Sequence, residues 1–300
     1  MENRNNIDGV INVYKEKGYT SHDVVAILRK ILGIKKIGHT GTLDPNVSGV
    51  LPICVGNSTK ISSYLMNHQK TYLGELTFGY ETDTEDIWGS ITETCDYTPS
   101  IDELEKAISR INGKEILQTP PMYSAIKVGG KKLYELARDG KDIERKKRIA
   151  NIYSIELIRY ISGKAHIKVT CSKGTYIRTL FKDIARECNS LGTMSSLIRL
   201  SSGGFSIKDS ITLDEISELS RRMNFEFFVS ADKALEDIDR VTIPDFLFDK
   251  VINGVAIKTN LLGLKLQEDR EYLVYCREEF IGIYHHLDNL LKVKSYLYKR

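Results

Sequence analysis

From His166 to Cys171 polar and apolar residues alternate strictly, with Ile167, Val169 and Cys171 on one side and His166, Lys168 and Thr170 on the other. Past Gly174-Thr175-Tyr176 the period changes: Leu180, Phe181, Ile184, Ala185 and Cys188 recur at helical spacing, up to a stop near Gly192. A period of two predicts a strand with one buried face, and a period near 3.6 predicts an amphipathic helix. A strand handing over directly to a helix therefore has to find a partner sheet elsewhere in the chain.

Other segments supply it. Val10–Tyr14 is a short β-branched strand, and Tyr72, Leu76, Phe78 and Tyr80 share one face of another, with Gly74 between them. Thr20 or Ser21 caps a helix with the stripe Val24, Ile27, Leu28 and Ile31, ending at Gly33. Ser100-Ile-Asp-Glu103 and Thr212-Leu-Asp-Glu215 are capping boxes that open two more helices. Strands and helices are interspersed without a βαβ rhythm, which predicts an α+β fold on a mixed or antiparallel sheet. A boundary is expected near Asp232–Thr242. Beyond it the runs Glu271–Cys276 and Phe280–Tyr284 predict a small β-rich unit.

Charge and cysteine narrow the class. The 43 Lys and Arg against 40 Asp and Glu leave a net +3, too mild to prove or exclude a nucleic-acid partner. Five widely spaced Cys without a C-x-x-C pair fit free thiols in a reducing, cytoplasmic setting. No secretory signal and no run of about 20 apolar residues argues for export or membrane spanning. The six His form no metal-ligand pattern.

Three segments can carry chemistry. Gly38-His-Thr-Gly-Thr-Leu-Asp44-Pro45 is a tightly shaped loop, in which Pro45 biases Asp44 away from helical geometry. It reads either as a loop presenting a carboxylate or as an Asx turn capped by Asp44 itself. Arg178 stands at a helix start, where the dipole disfavours a cation. It calls for an anionic partner, a carboxylate or a phosphate, unless it pairs locally with Asp183. Lys127–Arg148 holds nine Lys or Arg against four acids, a local +5, with Tyr123 and Tyr134 nearby. Such a segment suits phosphates and bases, or is a solvated face.

Together these segments resemble the TruB family of bacterial tRNA pseudouridine synthases. The matches are Lys15-x-x-Gly18-x-Thr20-Ser21, Gly38 to Pro45 with Gly49-Val-Leu-Pro52, and Lys70-x-Tyr72. They continue with Pro120 to Lys127, Gly130 to Arg138, Gly174-Thr-Tyr-Ile-Arg178-Thr, and Leu197-x-Arg199 with Gly203-x-Phe205. The resemblance implies a pseudouridine synthase catalytic unit over 1–235, with a bent sheet flanked by helices and a thumb-like insertion about 124–150. A PUA-like RNA-binding unit is implied over 240–300.

It further implies isomerisation of the T-loop uridine (position 55) of tRNA after base flipping, without cofactor, metal or guide RNA, by a monomer. Asp44 takes the place of the catalytic carboxylate, Arg178 of its charge partner, and Tyr72 of the ring that stacks on the flipped base and accepts a later proton. Tyr176 and Leu197 match pocket walls, His39 supports the flipped-out loop, and Lys15 counts with them on the substrate side. Lys127, Lys131, Lys132, Lys146, Lys147 and Arg148 belong to the thumb. Two positions depart from the family pattern: Glu16 replaces a Pro, and Ile198 interrupts a Leu-Arg-Arg run. A tRNA folding helper and a guide-dependent relative are the competing readings.

Overall fold

A computed structural model describes residues 7–141 and 143–299. The chain enters on β1 (Gly9–Lys15) and turns into α1 (Ser21–Leu32). Thr20 caps α1, its hydroxyl taking the Asp23 N–H while Asp23 takes the Thr20 N–H. Gly33 closes the helix in the left-handed conformation, φ 71°. Next come β2 (Ile37–His39) and β3 (Ser48–Val55), whose residues are all buried. The sequence predicted one loop from Gly38 to Gly49; its two ends are strand, and only 40–47 form the loop.

After α2 (Ser62–Asn67), β4 (Lys70–Phe78) buries every second residue, so Tyr72, Gly74, Leu76 and Phe78 share the inner face as their spacing requires. Tyr80 does not continue that face. Gly79 turns the chain at φ 110°, and Tyr80 opens β5 (Tyr80–Thr82), paired with β6 (Ile91–Thr94). The Ser100 capping box starts α3 (Ile101–Ile111), followed by β7 (Glu115–Gln118).

The basic segment is more structured than its charge suggested. β8 (Lys127–Val128) and β9 (Lys131–Lys132) form a hairpin leading into α4 (Leu133–Arg138). Its two-residue turn is Gly129-Gly130, both at positive φ, the pair that a primed hairpin turn demands. The chain then returns through β10 (Arg148–Ile161) and β11 (Lys164–Cys171) to α5 (Ile177–Glu187). Leu180, Phe181, Ile184 and Ala185 of α5 are fully buried. Burial of side chains of this size stabilises by about 1.5–3 kcal/mol for each Leu, Ile or Phe. The helix ends before Gly192, because Asn189 takes the left-handed conformation at φ 55°. Then follow β12 (Gly192–Ser202), β13 (Phe205–Ser206), α6 (Leu213–Arg221), started by the Thr212 capping box, and β14 (Phe228–Val229).

These strands make one ten-stranded sheet in the order β14-β1-β3-β12-β4-β11-β10-β7, with β2 on β3 and β13 on β12. Among the described residues every pairing in it is antiparallel except β3 with β12, where Ser48 faces Ile198 and Gly49 faces Arg199. This joint admits no side chain at Gly49: at φ 112°, a Cβ there would lie 2.2 Å from the Arg199 carbonyl.

A second sheet, in the order β15-β17-β18-β19-β16, takes β15 (Arg240–Thr242), β16 (Ile257–Lys258), β17 (Arg270–Cys276), β18 (Glu279–Leu287) and β19 (Leu290–Tyr296). It has its own core around Val274, Ile281, Tyr284 and Leu291. A further cluster joins Val10, Cys54, Ile61 and Leu65 to Leu235, Leu273 and Ile283, so the second sheet packs on the first. The five cysteines are free thiols. No helix among the described residues is long and apolar enough to cross a membrane.

Candidate active site

Asp44 lies in the loop between β2 and β3, at the parallel joint of the sheet. Lys15, at the end of β1, is fully buried beneath that loop. Its ammonium donates to three carbonyls, of Tyr19 at 2.6 Å, Glu16 at 3.0 Å and Pro45 at 3.2 Å. Lys15 thus holds the backbone on the far side of Asp44 rather than offering its charge at the surface. Burial pulls its pKa down to about 8, against the attraction of Asp44. Ser21 on α1 adds a second tether, donating to the Leu43 carbonyl and accepting the Leu43 N–H.

Arg178 is the second residue of α5 and only 6% exposed, so its charge needs partners. Each terminal nitrogen finds one carbonyl and one carboxylate. Nη2 donates to the Tyr123 carbonyl at 2.9 Å and lies 3.1 Å from Asp44 Oδ2. Nη1 donates to the Thr84 carbonyl at 2.8 Å and lies 3.5 Å from Asp86 Oδ2. The anionic partner required at the helix start is therefore Asp44, joined by Asp86, and not Asp183. Burial raises the Asp183 carboxyl to about 6, with Glu85 next to it adding to the rise.

Asp86 was not singled out in the sequence, since it sits in an acid-rich run, Glu81 to Asp86, that reads as solvated. Burial raises its pKa, opposed by the Thr84 hydroxyl and by Arg178. Asp44 itself is 44% exposed, an accessible carboxylate fixed from behind.

The remaining wall comes from β4 and β12. Tyr72 pairs across the strands with Arg199, and Leu197 with Gly74. Burial raises the Tyr72 phenol, and the Arg199 guanidinium pulls the other way. Arg199 is 1% exposed; it donates to the Val50 carbonyl at 2.7 Å and the Gly41 carbonyl at 3.2 Å, riveting β12 to β3 and to the Asp44 loop. The signal for it was legible: Arg199 stands two residues after the inward Leu197 and so shares its buried face. Lys70 is buried nearby, donating to the Met66 and His68 carbonyls, its pKa pulled down to about 8 by burial.

Tyr176 precedes α5, and Gln118 clamps its backbone, donating to its carbonyl and accepting its N–H. Burial raises its phenol. His39 accepts the Gly41 N–H on Nδ1 and meets His22 edge-on at 5.3 Å. Burial, with His22 and Arg199 adding to it, pulls its pKa down to about 4, so its ring is neutral at physiological pH.

Asp44 thus touches Arg178 and is close enough to Tyr72, Tyr176 and Lys15 to act on all three, while Leu197 lies across from Gly74, two residues after Tyr72 on its strand. Of the basic residues, Arg148 reaches this group, pulling the Tyr176 phenol down against its burial. Lys127, Lys131, Lys146, Lys147 and Arg148 are exposed. Lys132 is half-buried, and it and Arg138 lie over the Tyr134 ring at 5.3 and 5.5 Å, so that aromatic face is already engaged. Among the described residues no three His, Cys, Asp or Glu are grouped to hold a metal ion.

The arrangement can do covalent chemistry: an accessible carboxylate, oriented by a buried guanidinium, next to an aromatic wall. Comparisons with known proteins give the chain its family. The family model for the N-terminal domain of TruB family pseudouridylate synthases matches residues 29–177. The chain is 46% identical to tRNA pseudouridine synthase B of Alkaliphilus oremlandii (strain OhILAs) over 279 residues, 92% of each protein. It is 42% identical to the protein of that name from Staphylococcus haemolyticus (strain JCSC1435), over 92% of this chain and 94% of that one. Among solved structures it is similar in fold to a chain of an H/ACA ribonucleoprotein bound to a substrate RNA containing 2′-deoxyuridine. There the TM-score is 0.75 and the identity 23%, over 97% of this chain and 86% of that one. With relatives of this identity over nearly its full length, the chain belongs to the TruB family of pseudouridylate synthases.

Proposed function

We propose that the protein isomerises the T-loop uridine of tRNA (position 55) to pseudouridine, acting alone, with Asp44 as the nucleophilic carboxylate. The observation that carries this reading is the buried Arg178 guanidinium set 3.1 Å from a half-exposed Asp44. The relatives named tRNA pseudouridine synthase B, matched along nearly their whole length, support tRNA as the substrate.

The reaction balances within the substrate. The N1–C1′ bond breaks, the detached base turns, and a C5–C1′ bond forms. The hydrogen on C5 leaves as a proton, and N1 gains one. Product and substrate have the same composition, so no cofactor, metal or other co-reactant is required. The target base has to leave the loop's stack to reach Asp44.

Tyr72 and Leu197 wall the flipped base, with Tyr176 on the α5 side and His39, neutral, at the loop that receives it. The Tyr72 oxygen accepts the C5 proton as phenolate, and Arg199 offsets part of the burial that disfavours that form. Lys15 acts from below, by fixing the loop that carries Asp44. Residues 1–235 form the catalytic unit, with 124–150 as an RNA-gripping thumb whose contacts are Lys127, Lys131, Lys132, Lys146, Lys147 and Arg148. Residues 240–300 form a PUA-like RNA-binding unit, the separate core of the second sheet being the support for it. The protein works as a monomer in the cytoplasm.

The test is tritium release from unmodified T-arm RNA labelled at uridine C5, since forming the C5–C1′ bond expels that hydrogen. Wild type releases tritium with no guide RNA and no added metal, and Asp44→Asn binds the RNA but releases none. Turnover by Asp44→Asn refutes the nucleophile. Tight binding without release by wild type favours a folding helper, and release only on adding a guide RNA favours a guide-dependent enzyme.

A further inference from the structure

The loop that supplies Thr84 and Asp86 to Arg178 has a second face. Residues 83–90 are tied down along their length. Asp83 accepts the Ser90 N–H, and the Thr82 and Thr84 hydroxyls donate to the Asp86 carbonyl. The Ile87 N–H reaches the Met194 carbonyl of β12. From this rigid mount Ile87 and Trp88 project into solvent, Trp88 being 45% exposed.

Single exposed apolar side chains are ordinary on protein surfaces. Trp88 differs in its mounting. Its backbone N–H binds Asp86 Oδ1, whose other oxygen faces Arg178, which in turn faces Asp44. The same guanidinium holds the Tyr123 carbonyl at the start of the basic insertion. Trp88 therefore stands on the rim of the site, on a segment that shares one anchor with the catalytic loop and with the thumb.

The charges of this loop decide what it can receive. It contains no Lys or Arg of its own, and its acid-rich run should repel a polyanion. Most of that repulsion is cancelled locally. Glu81 is paired with Arg186, Glu85 with Lys182 at 2.8 Å and Asp86 with Arg178. A loop without cations cannot grip phosphate, but a broad aromatic face can receive a base, which stacks without regard to charge.

We propose that the Trp88 indole is a stacking platform for an unpaired base of the tRNA whose target uridine enters the Asp44 site. The inference rests on the tRNA reading above. The platform holds a nucleotide neighbouring the target and so positions the loop from which the uridine is drawn. Trp88 is a positioning residue: it acts on binding, while the chemistry stays with Asp44.

Trp88 is the one tryptophan of the chain, so its fluorescence reads this contact directly. The Asp44→Asn protein, which binds without turnover, is titrated with unmodified T-arm RNA, and binding is followed in parallel by filter retention. The expected result is a saturable change in indole emission that follows the retention curve. Adding Trp88→Ala weakens retention roughly tenfold, and Trp88→Phe recovers most of that loss. In the otherwise wild-type chain, Trp88→Ala leaves kcat at saturating RNA within about twofold, because the Asp86 contact uses the backbone N–H.

Retention without any change in emission overturns the proposal. So does an unchanged affinity in Trp88→Ala, or a fall in kcat at saturating RNA with affinity intact, which would make the side chain a prop for Asp86. Failure of the RNA to be retained at all overturns the tRNA reading and this proposal with it.

Discussion

Arg178→Lys keeps the charge and removes the shape. In the wild type Nη1 serves Thr84 O and Asp86, and Nη2 serves Tyr123 O and Asp44, two partners at each tip of a planar fork. An ammonium has three donors on one atom and cannot span both tips. The two carbonyls come from well-tied backbone, so the contact surrendered is the one to a carboxylate. Asp44 is 44% exposed and water screens it, so the loss is that of one charge-assisted hydrogen bond, about 1.5–3 kcal/mol, rather than of a deeply buried pair. At about 1.4 kcal/mol per decade, kcat should fall about 10- to 150-fold. The assay is single-turnover tritium release at saturating RNA, with thermal unfolding to confirm a folded chain and filter retention to confirm binding. A folded Arg178→Lys protein with kcat within twofold of wild type would refute the claim that the fork orients Asp44.

Neutralising Lys146, Lys147 and Arg148 should lower the slope of log Kd against log salt by about 2, at roughly 0.7–0.9 per lost phosphate contact; an unchanged slope makes the segment a solvated face. Arg199→Met leaves the Val50 and Gly41 carbonyls without their buried donor, which should cost about 2–3 kcal/mol of stability, read from urea unfolding, and should lower kcat as the Asp44 loop loosens. A wild-type unfolding midpoint would mean that the joint does not need its rivet. His39 has a folded pKa of about 4 against 6.5 when free, so between those values the unfolded chain takes up a proton that the folded chain refuses. Its contribution is full above pH 6.5 and is lost as pH falls toward 4, by about 1 kcal/mol at pH 5 once the partial exposure of the ring is allowed for. Urea midpoints at pH 7 and 5 should therefore converge more in His39→Gln than in wild type.

What the sequence made legible was local. The cap at Thr20 or Ser21, the capping boxes at Ser100 and Thr212, the alternation in 72–80 as far as Gly79 and in 166–171, and the stripe of α5 each depend on neighbours within a few residues, and each element formed where its pattern lay. Boundaries slipped where a single backbone conformation decided them. Asn189 ends α5 before Gly192, Gly79 breaks the face that Tyr80 seemed to extend, and Gly129-Gly130 folds a basic run into a hairpin. In the site, Arg178 announced a missing anion because a cation at a helix start is unfavourable, yet nothing in the spacing could choose Asp44 over Asp183. Asp86 gave no signal, since an acid within an acidic run looks solvated until the fold buries it beneath Arg178.

The parallel joint explains why those choices could not be made from spacing. On either side of it the sheet grows by antiparallel pairing, β14-β1-β3 on one flank and β12-β4-β11-β10-β7 on the other. Neither flank holds a complete site: the first carries Asp44 and Lys15, the second Tyr72, Leu197 and the strand that feeds α5. The pairing of Ser48 and Gly49 with Ile198 and Arg199 brings them together, across 150 residues of chain. That seam is short, and its chemistry is correspondingly specific. Gly49 removes the Cβ that would strike the Arg199 backbone, and the Arg199 guanidinium crosses back to Val50 and Gly41. A buried cation is an expensive way to join two strands. Here it also lies beside Tyr72 and beneath the Asp44 loop, so the group that closes the sheet is the group that sets the distance between the carboxylate and the aromatic wall. Stability of the seam and geometry of the site are then one property, and a substitution at Arg199 should not be able to change the first without the second.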